Sequence, residues 1–194
     1  SAERGRELGI VLEIKHATFF ARIGHDLAAL VERDLRAAGW ASGEHPLWIE
    51  SFEQTVLAEL RGRGVRGRFV YLLEATGAPA DLVARDGADA QTYAEALAPE
   101  GLDRLAGEVD GISVDKAILL RDHGADLVRA AHARGLDVFT WTCRPENAFL
   151  DHRFRRGARK AAFGDYRAEW ESIAATGVDG VFVDHPDLGA AVLR

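Results

Sequence analysis

Gly9-Ile10-Val11-Leu12-Glu13-Ile14-Lys15 is a short apolar run that closes by setting an acid and a base two residues apart. Successive side chains of a strand point to opposite faces, so Val11, Glu13 and Lys15 share one face and Ile10, Leu12 and Ile14 the other. Two opposite charges then point the same way at the strand's carboxyl end. In α/β sheets, open or closed, ligands bind at that end. An ion pair facing solvent is the alternative that the run alone leaves open.

Outward from this strand, the chain alternates between helical and strand periodicity. Leu27, Leu30, Val31 and Leu35 fall on one helical face, and Gly39 stops that helix as its C′ residue. Residues 47–50 read as a second strand. Ser51 reads as the cap of the next helix, with Gln54 completing a capping box and Val56, Leu57 and Leu60 as the buried stripe. A third strand, 69–73, ends at Glu74. From 75 to 106, Gly77, Pro79, Gly87, Pro99 and Gly101 punctuate the chain, which predicts a long loop with one or two short helices. A fourth strand follows at 111–114, a helix at 125–134 stopped by Gly135, and a fifth strand of β-branched and aromatic residues at 137–142. Tyr166, Trp170, Ile173 and Ala174 trace a further helix stopped by Gly177, and 179–184 is the sixth strand.

Strands separated by helical crossovers imply a parallel sheet, because parallel neighbours need long, right-handed connections. Six such strands fit a doubly wound sheet or part of an eight-stranded barrel. Nearly every strand ends in a polar group: Glu13 and Lys15, Glu50 and Ser51, Glu74, Asp115, Trp141 and Thr142, Asp184. A ring of this kind suits the catalytic mouth of a barrel. No Gly-rich phosphate loop follows the first strand, which disfavours the doubly wound alternative. The expected fold is therefore an α/β, (β/α)8 TIM barrel, of which about six βα units are present.

The 194 residues, 47% of them apolar, suffice for the core of one domain. With a net charge of −7 and scattered basic residues, a general nucleic-acid-binding face is disfavoured. The exception is Arg153-Phe154-Arg155-Arg156 with Arg159-Lys160, which reads as a solvated loop. The one cysteine, Cys143, lies in an apolar strand and is expected buried and inert. No stretch reads as a membrane span or a signal peptide. Ser1 to Leu8 reads as the charged tail of a helix without a start signal, and the chain has no Met, so further residues are expected upstream.

Four segments, taken in order, carry a resemblance: Leu12-Glu13-Ile14-Lys15, then Ile49-Glu50-Ser51-Phe52, then Thr142-Cys143-Arg144-Pro145-Glu146-Asn147, and last Gly177-Val178-Asp179-Gly180-Val181-Phe182-Val183-Asp184-His185-Pro186-Asp187. The chain resembles the carboxyl-terminal part of a glycerophosphodiester phosphodiesterase, in the branch typified by periplasmic and secreted bacterial enzymes. The resemblance implies hydrolysis of glycerophosphodiesters to an alcohol and glycerol 3-phosphate with one divalent cation, Ca²⁺ or Mg²⁺. By position, Glu13 is implied as a metal ligand, Lys15 as the catalytic cation that neutralises phosphate charge, and Trp141 and Arg144 as substrate contacts. A hard cation takes carboxylate oxygen, and Lys offers a mobile point charge to phosphate.

The departures are equally specific. The family's His-Arg-Gly and Glu-x-Asp motifs belong to its first two βα units and have no counterpart here at a matching position. His132-Ala133-Arg134-Gly135 ends a helix, and Glu108-Val109-Asp110 reads as a solvated turn. Glu50 and Tyr71 stand where members of the family tend to carry Gln. Residues 1–194 are thus expected to form a partial domain without the first two units, leaving unpaired edges on the first and last strands through which the chain could self-associate. A non-catalytic partial barrel or partner-binding module is the competing expectation.

Overall fold

The computed structural model describes residues 8–193. The chain divides into two compact units, Ser1–Ile112 and Ser113–Arg194. The first carries β1 (Ile10–Ile14), α1 (Ala17–Arg22), α2 (Leu27–Ala37), β2 (Leu47–Ser51), α3 (Gln54–Gly62), β3 (Arg68–Leu73), α4 (Ala80–Asp86), α5 (Tyr93–Ala96) and α6 (Pro99–Glu108). Strand β4 (Gly111–Asp115) contains the division. The second unit continues with α7 (Lys116–Leu119), α8 (Gly124–His132), β5 (Asp137–Cys143), α9 (Tyr166–Ala174), β6 (Gly180–Val183) and α10 (Pro186–Val192).

The strands are ordered β1-β2-β3-β4-β5-β6, as expected of consecutive βα units. In the first unit β1 pairs with β2, and β2 with β3, all parallel, with Ile49 facing both Leu12 and Phe69. Buried parallel strands read as continuous apolar runs, and β3 is buried from Phe69 to Leu73. Behind it, α3 contributes Val56, Leu57 and Leu60, while α6 contributes Leu102 and Leu105. Each large aliphatic there is worth about 1.5–3 kcal/mol of burial. The outer strand differs: Ile10 and Val11 of β1 are 41% and 47% exposed, and Phe19, Ile23 and Leu30 are exposed beside it.

Three expectations for the first unit are overturned. Ser51 does not cap α3, whose N-cap is Glu53. Its hydroxyl donates to the Ile14 carbonyl at 2.8 Å and accepts from the Glu53 N–H at 3.1 Å, so it fastens the end of β1 to β2. Residues 75–106 are largely helical, because the prolines and glycines read there as loop punctuation work as helix starts and stops. Pro79 precedes α4, Gly87 ends it at φ 63°, Thr92 and Glu95 form a capping box on α5, and Pro99 is at the first turn of α6. Asp110 is no solvated turn residue either: it accepts from Arg61 and from the Phe69 N–H, both at 2.8 Å. Of the helix tail expected over Ser1 to Leu8, all but Leu8 lies outside the described residues; Leu8 itself is not helical.

In the second unit β5 pairs in parallel with β6. Trp170 and Ile173 of α9 are fully buried, as their spacing predicts, with Leu136 and Val138. Glu169 is also buried and pairs with Lys116 while accepting from the Asp151 N–H at 2.6 Å. Asp179 accepts from the Val138 N–H at 2.7 Å and lies 2.9 Å from His132, which gives that histidine a structural partner. Cys143 is buried as expected, and burial pushes its thiol up to about 12.

Candidate active site

Glu13 and Lys15 share a face, as period two requires, and they touch: the Lys15 ammonium donates to the Glu13 carboxylate. Parallel register then sets Glu13 directly beside Glu50 of β2. Paired residues in neighbouring strands project to the same side. Glu50 is only 6% exposed. Burial first, and the Glu13 charge second, push its pKa up to about 7 against the pull of Lys15. The outcome is a carboxyl poised between protonated and ionised at neutral pH, beside a carboxylate that is already paired.

A cavity of 290 Å³ opens at the carboxyl ends of these strands, lined by Lys15, Phe52, Glu53, Glu74 and Tyr93 among others. Glu53 is buried and spends its carboxylate on α1, accepting from the Thr18 N–H at 2.7 Å and from the Thr18 hydroxyl. Glu74 follows β3 directly. Tyr93 is buried 6.3 Å, ring to ring, from Tyr71. Burial, then Glu74, Asp81 and Glu53, raise the Tyr93 phenol above its ordinary range, and Tyr71 is raised by burial, Tyr93 and Asp81. Both phenols therefore stay protonated donors. The cavity presents one mobile cation, two carboxylates, a phenol and an aromatic face.

Trp141 and Arg144 belong to the second unit. The Trp141 indole N–H donates to the Ser113 carbonyl at 3.2 Å. Arg144 donates through Nε to Asp184 at 2.5 Å and lies 4.5 Å from the centre of the Phe149 ring. Asp115, another strand-end residue, caps α7 by accepting from the Ala117 N–H at 2.8 Å. Glu53 and Tyr93 escaped the sequence reading. The signal for Tyr93 was the Thr92-to-Glu95 capping box; for Glu53, whose partner lies 35 residues away, there was none.

Among the described residues, no group of three or more His, Cys, Asp and Glu is placed to hold a metal ion. Glu13 and Glu50 are two adjacent carboxyls, one paired to a lysine and one pushed toward its neutral form. These residues do not by themselves make a divalent-cation site.

The sequence profile of the glycerophosphoryl diester phosphodiesterase family matches residues 2–188. The chain belongs to that family. Solved structures show the same fold for this phosphodiesterase family member. A candidate glycerophosphoryl diester phosphodiesterase of Silicibacter pomeroyi superposes with a TM-score of 0.62 at 22% identity, covering 94% of this chain and 49% of its own. A glycerophosphodiester phosphodiesterase of Parabacteroides distasonis gives 0.60 at 16% identity, covering 99% and 60%. An Oleispira antarctica phosphodiesterase, solved with the product sn-glycerol-3-phosphate, gives 0.59 at 16% identity, covering 96% and 55%. The chain thus spans about half to three-fifths of the length of these relatives.

Proposed function

We propose that this chain takes part in the hydrolysis of glycerophosphodiesters to an alcohol and sn-glycerol 3-phosphate, and that its own contribution is electrostatic. The observation that carries this reading is the Glu13–Lys15 pair at the carboxyl end of β1, beside a cavity of small-molecule size, in a member of this family. Lys15 Nζ is a compact charge on a flexible stem, and 63% of its side chain is exposed. It can leave Glu13 for a phosphate oxygen and offset the charge that grows there during displacement. Phe52 offers an apolar wall, and Glu74 and Tyr93 offer hydrogen bonds to hydroxyl or amine groups of the substrate.

Glu13 is assigned as one ligand of a divalent cation, Ca²⁺ or Mg²⁺, whose remaining ligands come from outside the described residues. Trp141 and Arg144 are assigned as substrate contacts by their place in the family's sequence pattern. The residues for proton transfer are assigned to the family's His-Arg-Gly segment, which these 194 residues do not contain. Release of glycerol 3-phosphate from glycerophosphocholine tests the assignment. Residues 1–194 alone should show no turnover. A form carrying the His-Arg-Gly and Glu-x-Asp segments should turn over and lose about 10²–10³-fold on Lys15→Ala or Glu13→Gln. Full activity of either variant would remove that residue from the site, and turnover by residues 1–194 unaided would refute the assignment of proton transfer.

A further inference from the structure

We propose that the segment 145–164, between β5 and α9, is a docking surface for an anionic lipid membrane. Residues 152–164 read His-Arg-Phe-Arg-Arg-Gly-Ala-Arg-Lys-Ala-Ala-Phe-Gly, five cations without an acid, in a chain of net charge −7. Five cations in 13 residues, against that background, form a strong local field of opposite sign to the rest of the chain. Phe149 and Phe163, at the two flanks of the cluster, are 47% and 50% exposed.

This loop is built, not slack. Asn147, 4% exposed, donates through Nδ2 to the Arg156 and Arg159 carbonyls at 2.7 and 3.0 Å, and accepts the Arg156 N–H through Oδ1 at 2.8 Å. Main-chain bonds from Asn147 to Ala162 and from Ala148 to Lys160, and a bridge between Glu146 and Phe163, close it further. A buried amide thereby holds the backbone of the basic stretch while the side chains of Arg155, Arg156, Arg159 and Lys160 face solvent. Of the acids in and beside the segment, Asp151 pairs with Arg153, Asp165 pairs with Arg156, and Glu146 lies 3.4 Å from His185. Arg155, Arg159 and Lys160 have no acidic partner among the described residues. Phe163 packs edge-on to Tyr166 and His185, at 5.9 and 5.7 Å, which keeps its ring at the surface.

Cations flanked by exposed aromatic rings match the chemistry of an anionic bilayer surface, where basic groups meet headgroups and rings enter the interface. A nucleic acid would use the cations but would leave the outward Phe149 and Phe163 without apolar cover, and the remaining charge would repel it.

Flotation with phosphatidylcholine vesicles, with and without about 30 mol% phosphatidylglycerol, tests this. The chain should bind only the anionic vesicles, and binding should fade as salt rises from about 50 to about 500 mM. Arg159→Gln with Lys160→Gln should weaken partitioning by about 25-fold, fivefold per charge. Phe163→Ala should weaken it by about tenfold. Arg33→Gln with Arg66→Gln, removing two exposed cations of the first unit, should change nothing. No binding to anionic vesicles at low salt overturns the proposal, as does equal loss in the two double variants. A single-stranded DNA oligonucleotide that displaces the chain from vesicles at equal phosphate concentration would reassign the surface to polyanions.

Discussion

Replacing Glu50 by Gln, its uncharged near-isostere, gives the most quantitative test of the site's electrostatics. Glu50 is raised from 4.5 to about 7, chiefly by burial and then by Glu13. Because the folded value lies above the unfolded one, folding binds the proton more tightly; this stabilising contribution is complete below about pH 4.5 and is lost as pH climbs through about 7. At about 1.4 kcal/mol per pH unit, the loss has a ceiling of about 3 kcal/mol. The amide cannot ionise, so Glu50→Gln should exceed the wild type by less than about 1 kcal/mol at pH 5 and by about 3 kcal/mol at pH 8. Urea unfolding at pH 5, 6.5 and 8, in EDTA so that no cation titrates with the carboxyls, reads the difference directly. Parallel profiles for the two proteins, or a wild type that gains stability from pH 5 to 8 relative to the variant, would show that Glu50 does not titrate with a raised pKa.

Calorimetric titration of residues 1–194 with Ca²⁺ or Mg²⁺ should reveal no tight site, since ligand number and charge set affinity; a sub-micromolar constant abolished by Glu13→Gln would show that the described residues suffice. Cys143 should resist thiol reagents at pH 8 in the folded protein and react on unfolding, because burial holds the thiol protonated; a fast native reaction would contradict this. Gly164→Ala would place a Cβ 2.4 Å from Asn147 Oδ1 and 2.8 Å from the Phe154 carbonyl, so thermal melts should show a loss of about 1–3 kcal/mol. Among the described residues, strand β1 pairs with β2 alone and leaves Ile10 and Val11 exposed, so light scattering after size exclusion should find self-association. A sharp monomer, stable over days, would contradict that expectation.

Period two in residues 9–15 was enough to put Glu13 and Lys15 on one face, and period 3.6 was enough to bury Val56, Leu57, Leu60, Trp170 and Ile173. The six strands among the described residues were legible to within a residue at either end, because each is a compact, largely apolar run between helical stretches. Short helices were not. α1 buries none of its residues, so it carries no stripe to detect, and its N-cap, His16, has a left-handed backbone without a capping side chain. α4 to α6 were hidden because Gly and Pro both break helices and delimit them. Ser51 has the residue type of a cap, but the Ile14 carbonyl, 37 residues away, offered a better partner. The same limit holds at the site. Glu50 was visible as a polar strand end, yet its raised pKa depends on strand register and burial, which are tertiary facts.

If the carboxyl end of β1 binds glycerol phosphate, sn-glycerol 3-phosphate should shift amide NMR signals of residues 1–194 around that strand end. Shifts should concentrate at Lys15, Phe52, Glu74 and Tyr93 and vanish in Lys15→Ala. Shifts centred elsewhere, or unchanged by that substitution, would rule out a glycerol-phosphate site there.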